Sequence, residues 1–281
     1  MTPFLLAVIV AGAASAFCWI ASLITRDTSW VDRLWSIVPV VYVWIFAAGA
    51  GLADPRLDVM AILVTAWGAR LTYNFARKGG YSGVEDYRWP ILRAKMSPFG
   101  WHVFNLFFIV IFQNAVLLAI ALPAQTAFEH SVVSAQPTPF GVIDVVLALA
   151  FLAFLAGETI ADQQQWDFHK AKQAGGPGTS PSETRPRFLQ TGLWRVSRHP
   201  NYFFEQAQWW VVFGFGAVAA GSVLIWTAVG PLLLLAIFIG STIFTESITR
   251  SKYPEYADYQ ARVSPIVPWP PRRTVAVKSR A

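Results

Sequence analysis

The sequence predicts an all-α fold: a polytopic membrane helix bundle of about seven transmembrane helices, N-terminus outside and C-terminus cytoplasmic. Three observations predict it. Charged residues make up 14% of the 281-residue chain against 55% hydrophobic, where a soluble domain carries roughly 25% charged. The apolar residues gather into runs long enough to span a bilayer core, which a chain crosses only with its backbone groups satisfied internally, as in a helix. Lys and Arg fall almost entirely on alternate loops.

Taken in order, the apolar runs cover residues 3–24, 35–53, 57–76, 99–122, 140–161, 203–220 and 222–245. The first lacks the basic n-region and clear cleavage site of a signal peptide, so it reads as a membrane helix. The second and third are separated only by the ADPRLD turn, and the sixth and seventh only by Gly221-Ser222, so each pair reads as a tight hairpin. Loops one, three and five and the C-terminal end hold all the Lys and Arg except Arg56, on the opposite side, and Arg70, inside the third run. That excess sets those loops in the cytoplasm. It also accounts for the net charge of +6 without nucleic acid as a partner. Cys18, the single cysteine, lies in an apolar run, which excludes an intramolecular disulfide and a Cys-based zinc site.

Ionisable residues inside membrane helices are costly and line cavities or pair with one another. Glu158 and Asp162 are four apart at the inner end of the fifth run, and Gln165 and His169 continue that face if the helix extends. RHPNYFFEQ opens the sixth run with Arg198, His199, Asn201, Tyr202 and Glu205. Glu246 and Arg250 make a third such pair at the end of the seventh. The clustering predicts a polar pocket facing the cytoplasm, with arginines for phosphate and carboxylates for ribose hydroxyls or an amine. The bland alternative is a set of interfacial acids neutralised by neighbouring Arg. No GxGxxG follows a strand, so a Rossmann domain is not available. His102, His130, His169 and His199 lack ligand spacing, and no metal is expected. No nucleophile elbow points to serine hydrolase chemistry.

The run GLWRVSRHPNYFFEQAQWW, followed by FTES and KYPEYADYQARVSPIVPW, resembles the C-terminal half of the steroid 5-alpha-reductase family, more closely an uncharacterised bacterial branch of it. Sterol reductases and, more remotely, isoprenylcysteine and phospholipid methyltransferases are its kin. The resemblance is strong from about Glu158 to Trp269. It implies NADPH in a cytoplasm-facing pocket. Asp162 matches the family's cofactor-binding Asp, Arg187 its Arg before the Gly-Leu stretch, and Asn201, Tyr202 and Glu205 its Asn-Tyr-x-x-Glu. Glu158 stands where steroid enzymes often carry Asn, and His169 or Lys170 where they carry Arg. Arg198 and His199 fit a variable position, and Arg250, Lys252 and Tyr253 represent the basic stretch after the last helix. The resemblance divides the chain into N-terminal helices with a substrate cavity (1–122), a reductase-like half with the cofactor pocket (140–270) and a basic disordered tail (271–281).

On the substrate side the family's Glu is matched in spacing by Asp32, seven residues before Pro39 and 38 before Arg70. Trp67 takes roughly the place of the family's Tyr, and Tyr73 is the candidate substitute. An ion pair of Asp32 with Arg33 or Arg26 is the structural alternative. Glu85, Asp86, Tyr87 and Arg88 of the third loop are candidates to cap the cofactor pocket, or else plain solvated charges. The expected reaction is NADPH-dependent reduction of a C=C bond in a lipophilic enone, steroid-, sterol- or isoprenoid-like, drawn from the bilayer by a monomer in the bacterial inner membrane. The rivals are an S-adenosylmethionine-dependent methyltransferase and a non-catalytic lipid-binding membrane protein. Asn201, Asp162 and Glu246-Ser247, where methyltransferases often carry Glu-Glu, favour the reductase.

Overall fold

The computed structural model describes residues 1–133, 138–173 and 187–272. The Gly/Pro/Ser stretch of the fifth loop, 174–186, and all but Pro271 and Arg272 of the predicted tail lie outside the described residues. The described chain is helical, with one isolated bridge between Ser197 and Ser264 and no strand among the described residues.

Each predicted apolar run is a helix or part of one. The main elements are α1 (Pro3–Thr25), α2 (Trp30–Leu34), α3 (Val38–Gly49), α4 (Pro55–Arg77), α5 (Arg88–Arg93), α6 (Pro98–Phe104), α7 (Gln113–Phe128), α8 (Val142–Gln173), α9 (Pro200–Ala220), α10 (Val229–Lys252) and α11 (Tyr256–Arg262). Among the described residues, five stretches are long and apolar enough to cross a membrane: Pro3–Thr25, Trp30–Gly49, Pro98–Val132, Val142–Gln173 and Trp226–Lys252.

One device starts three of the helices. Thr2-Pro3, Asp54-Pro55 and Ser97-Pro98 each pair a capping oxygen with a proline in the first turn. The side chains accept from Leu5 N at 3.2 Å, Leu57 N at 2.9 Å and Gly100 N at 3.1 Å. The cap satisfies an amide left over at the helix start, and proline's fixed φ suits a position whose N–H is not needed.

Three helices differ from the prediction. The sixth and seventh runs are joined not by Gly221-Ser222 alone but by residues 221–228, which include a 3-10 turn at Trp226–Ala228, and α10 starts only at Val229. The second run is broken: α2 ends at Leu34 and α3 begins at Val38, with Pro39 in its first turn. Between α6 and α7 the backbone winds as a π-helix over Asn105–Phe112. The ring ladder Phe104, Phe108 and Phe112, with centroids 4.8 and 5.6 Å apart, follows that segment.

The chain forms two compact units, Met1–Leu152 with Gln208–Leu235, and Ala153–Ala207 with Ala236–Ala281. In the first, α10 approaches α7 closely: a Cβ on Gly230 would stand 2.2 Å from the Ala119 carbonyl oxygen. Small residues allow such backbone contact in membrane bundles. This unit also buries an ion pair. Arg56 Nε and Nη2 reach the Asp144 carboxylate at 2.6 and 3.0 Å, and the same guanidinium donates to the Thr138 and Pro139 carbonyls at 3.0 Å each. With side chains 3% and 1% exposed, the pair survives burial because every charged atom has a partner.

Candidate functional site

The second unit is organised round Glu246, near the end of α10. Its carboxylate accepts from Arg198 Nε at 2.5 Å and Nη2 at 3.0 Å, from Gln260 Nε2 at 2.8 Å and from the Tyr256 hydroxyl at 3.2 Å. His199 Nε2 lies 3.1 Å away. Arg198 spends its remaining reach on the chain itself, donating from Nη1 to the Gln260 carbonyl at 3.0 Å and to that of Val263. A two-pronged Arg–carboxylate pair fixes direction as well as distance.

The expected pairing of Glu246 with Arg250 does not form: Arg250 is exposed and Arg198 takes its place. For the same reason Arg198 and His199, expected to bind cofactor, hold the start of α9 to α10 and α11. The segment around Ser197 completes the clamp. Arg198 N donates to Ser264 O at 2.8 Å, Ser197 Oγ to Ile266 O at 2.6 Å, and Trp269 N to Val196 O at 2.9 Å.

Phe188, Tyr256, Tyr259 and Val263 pack into a small core beneath this clamp. The Tyr259 hydroxyl donates to the Trp194 carbonyl. Burial pushes both tyrosine hydroxyls above their usual range; the Glu246 charge adds to this in each, and Arg198 opposes it. Tyr256 and Tyr259 were not among the sequence candidates, although their three-residue spacing puts them on neighbouring turns of α11.

The predicted pocket acids lie in this unit and are buried: Glu158 is 2% exposed, Asp162 3% and Glu205 8%. The packing of α8 on α9 places them. Gly157 abuts Phe204, where a Cβ would come within 2.5 Å of the ring, and Glu158 and Glu205 are each the next residue after that contact. Asp162 is one turn on, past Ala161, whose carbonyl accepts from Trp194 Nε1 at 3.1 Å. Tyr202 stacks between His199 and Phe238, and its hydroxyl meets Ser241 Oγ at 3.1 Å.

Two polar atoms in this region are buried without a hydrogen-bond partner: Asn201 Oδ1 and Thr242 Oγ1. Thr242, one turn before Glu246, was not anticipated, and no spacing rule would have found it. Buried polar groups are otherwise almost always satisfied.

The remaining predicted cofactor residues lie nearer the surface. Arg187 has a half-exposed side chain 3.5 Å from Glu255. Lys172 Nζ donates to the Arg187 carbonyl at 3.2 Å and to the Tyr253 hydroxyl at 3.0 Å, with its ammonium over the Tyr253 ring. His169 is exposed on the extension of α8, its ring beside Phe168. Arg187 and Lys172 thus leave cationic groups at the rim, where Arg198 has none to spare.

In the first unit, Asp32 of α2 accepts from Trp89 Nε1 at 3.2 Å. It sits beneath a clasp between residues 27–33 and 80–93. Thr28 N and Oγ1 donate to Glu85 Oε1 at 3.0 and 2.9 Å, Asp86 N to Ser29 Oγ at 2.9 Å, and Arg33 Nε to Gly80 O at 3.0 Å. Arg33 pairs with Asp27 and Arg93 with Glu85, each at 2.5 Å. The third loop thus partly covers Asp32, and its acids are engaged rather than merely solvated; the ion pair expected between Asp32 and Arg33 is replaced by Asp27–Arg33. Tyr73 turns outward, 66% exposed, with the Arg77 guanidinium 5.4 Å from its ring centre. The two candidate substrate-side residues therefore have opposite surroundings. Among the described residues no group of His, Cys, Asp and Glu is arranged to hold a metal ion.

Residues 18–263 match a family described as protein of unknown function, DUF1295. The chain is 37% identical over 278 residues to an uncharacterized protein of Schizosaccharomyces pombe, covering 95% of this chain and 80% of the yeast protein. No solved structure matches it. By the extent of these matches, the chain belongs to the DUF1295 family.

Proposed function

We propose that this protein is an integral membrane reductase that uses NADPH to saturate a C=C bond in a lipophilic enone, with about seven transmembrane helices, its N-terminus outside and its cofactor side in the cytoplasm. The observation that carries the reading is the pair of unpartnered buried atoms, Asn201 Oδ1 and Thr242 Oγ1, in the unit that also buries Glu158, Asp162 and Glu205. A free amide oxygen wants an N–H or O–H donor, which a ribose or a carboxamide offers. Glu158, Asp162 and Glu205 suit ribose diols, and Arg187 with Lys172 and Tyr253 at the rim suits phosphate. Arg198, fully occupied by Glu246 and backbone carbonyls, serves as a positioning residue in this scheme.

NADPH, when bound, supplies the hydride that goes to the β-carbon of the enone. Asp32, in protonated form and held by Trp89, is the group proposed to stabilise charge on the carbonyl oxygen, the electrostatic role that usually weighs most. The clasp over Asp32 covers it in part, leaving it at intermediate exposure.

The test is direct. Detergent-purified protein is expected to unfold at higher temperature with NADPH, since a ligand of the native state stabilises by mass action. Asn201→Ala is expected to weaken NADPH binding roughly tenfold, equivalent to about 1.4 kcal/mol. No binding at cellular NADPH concentrations would end the reading. The acidic character of the buried set gives a second reading some footing, because carboxylates also receive the ammonium and ribose of S-adenosylmethionine. Stabilisation by that compound and not by NADPH would transfer the proposal to a methyltransferase. Stabilisation by neither leaves a non-catalytic lipid-binding protein.

A further inference from the structure

The middle of the first unit carries a polar layer that the cofactor reading does not use. Four buried atoms on four helices have no hydrogen-bond partner: the Tyr42 hydroxyl on α3, Trp67 Nε1 on α4, Asn114 Oδ1 on α7 and Trp209 Nε1 on α9. None of these residues is more than 1% exposed.

Side-chain contacts bring them to one level. Ser36 Oγ meets Thr72 Oγ1 at 2.7 Å and Trp44 Nε1 donates to Thr65 Oγ1 at 2.9 Å, which sets the register of antiparallel α3 and α4. Counting inward from those two contacts, Tyr42 stands level with Trp67. The Trp67 and Trp209 rings meet edge to face, centroids 4.8 Å apart. On the other side, Cys18 of α1 lies near both Tyr42 and Asn114.

The π-helix is what turns Asn114 this way. Asn105 and Asn114 are nine residues apart, which an α-helix at about 100° per residue would put on opposite faces. The wider i→i+5 winding turns less per residue. Asn105 therefore bonds Ser22 at 2.9 Å while Asn114 meets Cys18, one turn along the same α1. Asn114 Nδ2 donates to Val110 O at 2.8 Å, so the free atom is its oxygen.

Unmet buried hydrogen-bonding capacity is expensive. In an edge-to-face pair one indole N–H can point at the other ring, a weak bond that leaves the second indole unserved. The Tyr42 hydroxyl and an indole N–H are donors with nothing to donate to, and a carbonyl oxygen is the group that takes two donors and offers none. We infer that the three donors of this layer, Tyr42, Trp67 and Trp209, form a binding site for the carbonyl group of a lipophilic molecule; Asn114 Oδ1, itself an acceptor, flanks the site and takes no bond from that carbonyl. As a binding site it stands without any cofactor, and it takes a carbonyl apart from Asp32, where the reductase reading places the reacting enone.

The test uses the full chain in lipid nanodiscs with two probes, cholestenone and the smaller enone β-ionone, and with cholestene, which lacks the oxygen of cholestenone. At least one enone is expected to bind and raise the unfolding temperature, cholestene is not, and the C=O stretching band is expected to move to lower wavenumber on binding. Tyr42→Phe and Trp67→Phe should each weaken enone binding roughly five- to tenfold, the usual worth of one hydrogen bond. Tyr42→Phe should leave the unfolding temperature of the ligand-free protein unchanged or raise it, while Trp67→Phe opens a cavity and is judged by binding alone. A fall in that temperature for Tyr42→Phe would mean the hydroxyl serves the fold, and would overturn the inference. So would equal binding of cholestene, or no binding of either enone. NADPH binding measured on the same samples keeps the two proposals apart: enone binding without NADPH binding sinks only the reductase, and the reverse sinks only this site.

Discussion

Both units bury charge, but they arrange it differently. In the first, charged groups near the helix ends close on each other in separate pairs: Arg56 with Asp144, Arg33 with Asp27, Arg93 with Glu85 and Arg88 with Asp86. Its unserved atoms include neutral groups deep in the bundle, among them Tyr42, Trp67, Asn114 and Trp209. In the second, one buried carboxylate, Glu246, gathers Arg198, His199, Tyr256 and Gln260. The unserved Asn201 and Thr242 lie one or two turns from that hub, Asn201 on α9 and Thr242 on α10. Where every donor meets an acceptor, the cluster explains itself as structure. Where capacity is left over, a ligand is the economical explanation.

Mutations can break this contrast. The largest loss is expected for Glu246→Ala, which strands Arg198 in a buried setting; removing one partner of such a pair costs about 3–5 kcal/mol. Chemical unfolding in detergent would measure it, and a loss under 1 kcal/mol would mean the hub carries little. Arg56→Leu should cost a similar or slightly smaller amount, while Arg56→Leu with Asp144→Leu should recover most of it, because a buried pair replaced by apolar residues is often neutral. Failure of the double variant to recover would show that Thr138 and Pro139 depend on the guanidinium. Thr242→Val should leave stability within about 0.5 kcal/mol of the parent. It is nonetheless expected to weaken NADPH roughly threefold to tenfold by calorimetry, as one lost hydrogen bond would; a drop in stability with binding intact would make Thr242 structural.

The smallest effect concerns alkali. Tyr256 and Tyr259 hold their protons more tightly folded than unfolded, since burial and the nearby Glu246 charge oppose ionisation. A group whose folded pKa is raised contributes its stability in full below the unfolded value, near 10 for tyrosine, and loses it as pH rises beyond that. Thermal stability should therefore fall above about pH 10, and less steeply in Tyr256→Phe. Identical slopes would place the tyrosines in solvent.

Helix positions were legible from hydropathy and from the Thr-Pro, Asp-Pro and Ser-Pro starts, because both signals are local. The reach of α8 past residue 161, which carries Asp162 and His169 on the same helix as Glu158, was legible only conditionally, because the apolar run ends there and the helix does not. The partner of Glu246 was not legible. Spacing favoured Arg250, four residues on, but an exposed neighbour on the same helix loses to Arg198, whose fork is aimed at both carboxylate oxygens. The third loop read as a cap for a cofactor, whereas its bonds run to residues 28–33, a pairing that depends on tertiary folding rather than pattern. Unserved atoms such as Asn201 Oδ1 are invisible in a sequence, since absence of a partner exists only in space. Nor does any residue pattern in NLFFIVIF announce π winding.

That winding has a consequence for tolerance to length change. Seven residues along an α-helix return nearly to the starting face. Removing two residues between Asn105 and Asn114 would leave such a step, and because an α-helix climbs more steeply per residue, the shortened rod would keep nearly its present height. Loss of a single residue fits neither geometry. The segment is thus expected to accept the loss of two residues and to resist the loss of one, a tolerance that ordinary membrane helices lack.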